Sequence, residues 1–419
     1  MKITLGLSLA LSGKYAPMGT QAQAALRLFA ADANAGGGIR LGAERAELDL
    51  VCIDDRSDPA RGAEIYRALI ADNHADLLLG PYASDLVAAT APIAEAAGRV
   101  FINHGGTADS LYEQRYRMIV GVASPASGYL EGFVRLLGTL KFWRKRMAII
   151  AADSPFARAV AGGVERAAGE RAARRRGVRV RVKWNGEFDS IRTPDVLFPA
   201  LRRSRVNALV AAGSYDHDLA VMRAVTGDPR LNIPVLACVA AGVARFRADL
   251  GESAEGIVGP SQWETDAAIV PTLGPAPREF ARRMLRDAQV AEPDYVAAQA
   301  YAAAMLAGAA LEAAGSLDQN RIRAAFSELR ATTLLGEFAI DPASGRQTAH
   351  RPLLVQWHGG RKVIIETEPN DDTGSLEFPA GWRLIAAGIE MLKLNRGADD
   401  ESNRALEDKG RQIDERKED

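Results

Sequence analysis

Residues 1–19 read MKITLGLSLALSGKYAPMG, and how they are read decides the fold. A lysine before a mostly apolar run at 3–11 suits a short secretory leader. The same run suits a buried first strand ending in the Ser12–Gly13 turn. No small-x-small cleavage pattern precedes the folded sequence, so the strand reading is preferred. On that reading the 12–19 loop belongs to the working part of the molecule.

The rhythm downstream supports a strand. ITLGLSLAL (3–11) is followed by a helical pattern at 19–35 that stops at Gly36, Gly37 and Gly38. AELDLVCIDD (46–55) precedes a helix over 57–72, with Ser57 or Asp58 as its cap and Pro59 in its first turn. ADLLLG (75–80), a helix at 84–98 and the strand RVFINHGG (99–106) continue the series. Strand and helix alternate, which predicts a parallel sheet covered on both faces.

A second series begins after residue 121. Strands are predicted at 146–153, 178–186, 206–214 and 233–239, with helices at 156–177, 194–204 and 216–227 between them. Two doubly wound units imply two similar lobes with a cleft between them. A long apolar helix is expected over 294–316. A closing hairpin is then expected from GEFAID (336–341) and PLLVQWHGGRKVIIETE (352–368), with Gly359 and Gly360 at its turn. The lobes are expected to comprise 1–121 with 263–335, and 122–262 with 336–370. Residues 371–419 form a charged extension, partly helical or without fixed structure.

Composition narrows the function. With 52 basic and 53 acidic residues among 419, the net charge is −1. Nothing global draws the chain to nucleic acid or to acidic lipid. The arginine-rich stretch at 166–183 reads as a solvated helix end, where arginine complements the dipole. The apolar runs are short, so no helix is expected to span a bilayer. Cys52 and Cys238 read as small buried residues rather than a disulfide. The five histidines, at 74, 104, 217, 350 and 358, lack metal-ligand spacing. There is no G-x-S-x-G elbow, H-E-x-x-H, P-loop or complete G-x-G-x-x-G after a strand. No cofactor and no catalytic residue are therefore expected.

Candidate binding residues sit where strands end, as the doubly wound rule requires. Ser84 ends GPYAS at a helix start, where a hydroxyl and unpaired N–H groups suit a carboxylate. HGGT supplies Gly105 and Gly106 for close backbone approach and Thr107 for a second hydroxyl. On the residues alone, Ser84 is equally an N-cap and the glycines a turn. His104 follows a strand and reads as a loop residue or a cleft residue.

The order of segments resembles the type I solute-binding proteins of the leucine-isoleucine-valine group. LSGKYAPMG (11–19), LRLFAADANAGGGI (26–39), DDRSDPARGAE (54–64), LLLGPYAS (77–84), FINHGGTADSL (101–111), LVAAGSYDHDLAVMRA (209–224) and DYVAAQAYAAAMLAGA (294–309) carry the resemblance. It implies two Rossmann-like α/β lobes joined by a hinge, and a non-enzymatic receptor working with an ABC-type permease in the periplasm. The alternative is a ligand sensor of the same fold acting on a regulatory protein, which the charged extension favours. The resemblance places Ser84, Gly105, Gly106 and Thr107 at the ligand's carboxylate. It sets Phe156, Ser214 and Tyr215 on the facing lobe, and Met18 and Tyr295 on the near wall. Trp263 is expected to support the hinge. Where amino-acid binders of the family carry an acid, this chain has Val239. A ligand without an α-amino group is therefore expected, an aromatic or branched acid or amide, because a buried ammonium without a partner is costly.

Overall fold

The computed structural model describes residues 1–72, 74–140 and 144–365. The extension expected at 371–419, and residues 366–370 of the second lobe, lie outside the described residues.

The opening stretch is β1 (Lys2–Leu9), buried continuously from Leu5 onward. A strand covered on both faces needs apolar residues at consecutive positions, which is why its sequence imitates a leader. Its one polar residue in that run, Ser8, donates to Asp55 Oδ2 at 2.8 Å. α1 (Ala16–Ala35) follows, with Pro17 in its first turn. The glycines after it lead into β2 (Ile39–Leu41), which pairs antiparallel with β3 (Glu44–Asp54). α2 (Pro59–Ala71) is capped by Asp58, whose side chain accepts the N–H groups of Ala60 and Arg61. Ser57 is not the cap: its hydroxyl donates to the Ser12 carbonyl and accepts from Tyr15 N.

β4 (Leu77–Leu79), α3 (Ser84–Ala96), β5 (Phe101–Asn103), α4 (Ser110–Glu113) and β6 (Ile119–Gly121) complete the first layer set. The sheet has six strands in the order β2-β3-β1-β4-β5-β6. Apart from β2–β3, its pairs are parallel.

The chain then enters a second sheet through α5 (Glu131–Thr139), β7 (Arg146–Ala151), α6 (Pro155–Gly169) and α7 (Arg171–Arg175). The single helix expected over 156–177 is broken here. Glu170 takes an extended backbone, φ −58° and ψ 146°, immediately after Gly169. β8 (Arg179–Asn185), α8 (Arg192–Arg203), β9 (Ala208–Ala212), α9 (Tyr215–Gly227), β10 (Val235–Cys238), α10 (Phe246–Leu250) and β11 (Val258–Ser261) follow.

From Trp263 the chain is back on the first core. α11 (Pro277–Ala288), α12 (Tyr295–Ala314) and α13 (Gln319–Glu328) contribute Phe280, Met284, Leu306, Leu311, Ile322 and Phe326 to the cluster that buries Leu5, Leu7 and Leu26. α12 corrects the expectation that every apolar run is short. It is long and apolar enough to cross a membrane, yet 83% of that window is buried in the fold, where it packs on α1.

The closing segment also differs from expectation. β12 (Ala331–Thr333) and β13 (Gly336–Phe338) form their own antiparallel ribbon, so GEFAID is not part of the final hairpin. That hairpin is β14 (Leu353–His358) with β15 (Arg361–Ile365), turning at Gly359 and Gly360. β14 docks antiparallel on β11, giving a seven-stranded sheet in the order β15-β14-β11-β10-β9-β7-β8. Phe338 and Ile340 remain in the first core.

The chain thus passes between the sheets near Ser124, Gln262 and Gln347, and these buried polar residues hold each other. Ser124 N donates to Gln262 Oε1 at 3.1 Å, and Gln262 Nε2 returns to the Ser124 carbonyl at 3.2 Å. Ser124 Oγ donates to the His350 carbonyl, and Gln347 Nε2 to the Val122 carbonyl. Cys52 and Cys238 are free thiols, so there is no disulfide between them.

Candidate functional site

Parallel strands deliver their C-terminal ends to one edge of each sheet, where a doubly wound fold places its binding loops. After β4, Pro81 and Tyr82 run beside Gly105, and a bridge links Tyr82 to Gly105. A Cβ on Gly105 would lie 2.4 Å from the Pro81 carbonyl oxygen and 2.6 Å from the Tyr82 Cα. The glycine is there so that two loops can touch, and backbone approach to a ligand need not be invoked. Gly106 is similarly occupied: its N–H goes to Asn103 Oδ1 at 2.8 Å and its carbonyl accepts from Asn103 Nδ2. Its N–H is therefore not free for a ligand, contrary to the expectation from HGGT.

Ala83 precedes α3 with φ 107° and ψ 157°, a conformation that residues with a Cβ rarely adopt. It turns Ser84 so that its Oγ accepts the N–H groups of both Thr107 and Ala108 at 3.1 Å. The two hydroxyl residues predicted from separate motifs are thus directly joined. Thr107 is buried, and its Oγ1 accepts the Tyr129 hydroxyl at 3.1 Å. The Tyr129 ring meets Phe156 edge-on, centroids 5.7 Å apart. Phe156 in turn packs partly on the cluster of Tyr66, Leu78 and Phe101 behind the first sheet.

On the near wall, Tyr295 opens α12 with its hydroxyl 3.5 Å from that of Tyr82. Tyr15 meets Tyr82 edge-on at 5.7 Å. Burial pushes the hydroxyls of Tyr82, Tyr129 and Tyr295 above the ordinary tyrosine range, so they remain protonated donors. Met18 is in the first turn of α1 rather than in a loop, and it packs on its own core.

The facing residues are less tightly gathered. Ser214 caps α9, accepting from His217 N at 3.3 Å. Tyr215 donates to Asp249 Oδ2 at 2.5 Å, with the Arg245 guanidinium 3.9 Å over its ring. Val239 is half-buried just after β10. Among the described residues no hydrogen bond or ring contact joins Ser214, Tyr215 or Val239 to the Ser84–Thr107 pair. Trp263 is buried against Phe280, centroids 5.5 Å apart, away from solvent.

Two buried carboxylates stand near these loops, and both are engaged. Asp294 accepts Tyr295 N with one oxygen and Ala244 N with the other, at 2.9 and 3.0 Å. Asp218 holds Ala240 N at 3.1 Å and sits 3.2 Å from His217 Nδ1. His104 is fully buried, and burial, opposed in part by a backbone contact with Gly80, pushes its pKa down to about 4. Among the described residues no group of three His, Cys, Asp or Glu is placed to hold a metal.

Tyr82, Tyr129, Gln262 and Asp294 were not predicted. Tyr82 sits inside GPYAS, where strand-end position is its only signal. Tyr129 carries none, because its contact with Thr107 joins segments on either side of a passage between sheets.

Two mostly parallel sheets linked by three passages of chain, with hydroxyls and aromatic rings gathered at strand ends, make the two-lobed α/β fold of the type I binding proteins. The chain belongs to the periplasmic binding protein family, whose model matches residues 2–362. Solved structures agree on the fold. The branched-chain amino acid transporter substrate-binding protein LivJ from Streptococcus pneumoniae, in complex with isoleucine, is 18% identical with a TM-score of 0.72, covering 90% of this chain and 100% of its own. An ABC transporter solute-binding protein from R. palustris, in complex with benzoate, is 19% identical with a TM-score of 0.69, covering 87% and 95%. Another from Rhodopseudomonas palustris BisB5, in complex with 3,4-dihydroxybenzoic acid, is 16% identical with a TM-score of 0.70, covering 90% and 98%. At these identities the likeness concerns the fold, and each ligand is that protein's own.

Proposed function

We propose that this chain is the solute-binding receptor of an ABC-type uptake system, acting in the periplasm with a permease, and that it closes on a small aromatic or branched carboxylate. The observation that carries the reading is the Ser84–Thr107 pair, with Ser84 Oγ at a helix start bonded to the Thr107 N–H and the Thr107 hydroxyl held by Tyr129, which packs on Phe156. A carboxylate suits the first group and an apolar ring or branched chain suits the second. Val239 stands where amino-acid binders of the family carry an acid, and Asp218 and Asp294 already hold backbone N–H groups, which together favour an acid without an α-amino group. Two of the structural neighbours carry benzoate-type acids, which makes such ligands the first to try.

Ser84, Thr107, Phe156 and Tyr295 are retained as site residues, joined by Tyr82 and Tyr129. Ser214, Tyr215 and Val239 are assigned to the facing wall, Gly105 and Gly106 to loop support and Met18 to the edge. The lobes are taken as 1–121 with 263–335 and 122–262 with 336–370, adjusted so that 336–340 goes with the first, because Phe338 and Ile340 pack there.

A thermal-shift screen of aromatic acids, branched keto acids, amides and amino acids tests the reading, since a ligand that binds only the native state raises Tm. Stabilisation by carboxylates is expected. A screen in which no carboxylate raises Tm would overturn it.

A further inference from the structure

The hydroxyls at the site are not equivalent to free hydroxyls, because part of their bonding capacity is already used. A serine oxygen has one proton to give and two lone pairs to receive. Ser84 Oγ receives two backbone N–H groups, from Thr107 and Ala108, at 3.1 Å each. Its lone pairs are filled, and only its proton is left for a ligand. Thr107 Oγ1 receives the Tyr129 proton at 3.1 Å, so its own proton is left for an acceptor other than Tyr129.

Tyr129 is well placed to impose this. It is buried, so water does not compete for its proton, and burial keeps the phenol protonated. The Gln262 amide lies beside its oxygen, on the second passage between the sheets. Its segment is held twice: Ala126 N donates to the Thr107 carbonyl at 2.7 Å, and Tyr129 N bonds the Ala126 carbonyl at 3.1 Å. The turn Ala126–Gly128 packs on α6 so closely that a Cβ on Gly163 would lie 1.8 Å from the Ser127 carbonyl oxygen. The hydroxyl therefore has little freedom to leave Thr107.

We propose that Tyr129 is a specificity-determining residue that orients Thr107 as a donor, so that with Ser84 it accepts a carboxylate and rejects the corresponding primary amide. This rests on the receptor reading above and deepens it, separating the proposed carboxylate from its own amide. A carboxylate offers acceptors on both oxygens. A primary amide offers one acceptor and one NH2, and the NH2 meets a donor. A buried site that leaves such groups unpaired discriminates strongly. Tyr129 acts through Thr107 and is a positioning residue in that sense.

The test is calorimetry on the full chain with two matched pairs, benzoate and benzamide, and 4-methyl-2-oxopentanoate and its primary amide. Tyr129→Phe removes one hydroxyl and frees Thr107 to rotate and accept. The acid-to-amide affinity ratio is expected to fall by roughly five- to tenfold, the scale of one hydrogen bond. Thr107→Ser, which keeps an oxygen for Tyr129, is expected to hold the wild-type ratio. If Tyr129→Phe does not fold, Thr107→Val serves: it should weaken the acid more than the amide. Equal weakening of acid and amide in these variants indicates packing alone and overturns the inference, leaving the receptor reading intact. A wild-type chain that binds none of the acids removes both.

Discussion

Replacing Ser84 by Ala and Thr107 by Val together removes both hydroxyls assigned to the ligand's carboxylate. Each lost charge-assisted bond should weaken acid binding by about 1.5–3 kcal/mol. Calorimetry on a folded double variant checks this, and unchanged affinity would show that the anion lies elsewhere. His104 and His350 give a different residue-scale prediction. Burial pushes both down to about 4 from 6.5, so the unfolded chain binds more protons between those values. Stability attached to each is full above about pH 6.5 and is lost as pH falls, by about 3 kcal/mol at pH 4 for a shift of that size. His104→Leu should flatten the acid limb of the stability profile. A limb of unchanged slope in urea titrations across pH 4–7 would contradict the assignment. At this scale the sequence is half legible. Ser84 and Thr107 stand at strand ends that a parallel sheet must bring to one edge. Tyr129 reaches Thr107 only because the first passage folds back beside it, and no local pattern records that.

Elements are set by different signals. β1 is legible because a strand buried on both faces must be continuously apolar, and α2 because Asp58 and Pro59 satisfy its first turn. β12, β13 and the β2 hairpin are three-residue pieces too short for any period to register. The break between α6 and α7 follows a glycine inside an otherwise helical pattern, where propensity alone does not say which side wins. The packing of loops on one another is less legible still, and it makes a clean test. Gly105→Ala would place a Cβ 2.4 Å from the Pro81 carbonyl oxygen, whereas a Cβ on Gly128 would meet nothing within 4 Å. Gly105→Ala should cost roughly 1–3 kcal/mol and disturb the Ser84 loop. Gly128→Ala should stay within about 0.5 kcal/mol of the parent. Denaturant melts of the two variants decide it, and equal stability would mean that the Tyr82–Gly105 contact constrains nothing.

At the scale of the molecule, the two sheets are joined by strands of chain that hold one another through Ser124, Gln262, Gln347 and His350. A buried, mutually bonded set at the passages suits rotation of two bodies about it more than melting of either. If the receptor closes on its ligand, small-angle scattering should show a smaller radius of gyration with a bound acid than without. An unchanged radius at saturating ligand would argue against closure. This architecture is broadly legible from the strand-helix rhythm, while the last passage is not, since residues 336–340 look like part of the final hairpin and instead pack on the first core. The central claim is that this fold receives a small carboxylate lacking an α-amino group, at Ser84 and Thr107. Calorimetry with benzoate, 4-methyl-2-oxopentanoate and leucine tests it most directly. The account predicts heat from at least one of the acids, abolished by Ser84→Ala with Thr107→Val, and weak or no binding of leucine. Leucine binding at micromolar affinity or better, with both acids silent, would contradict it.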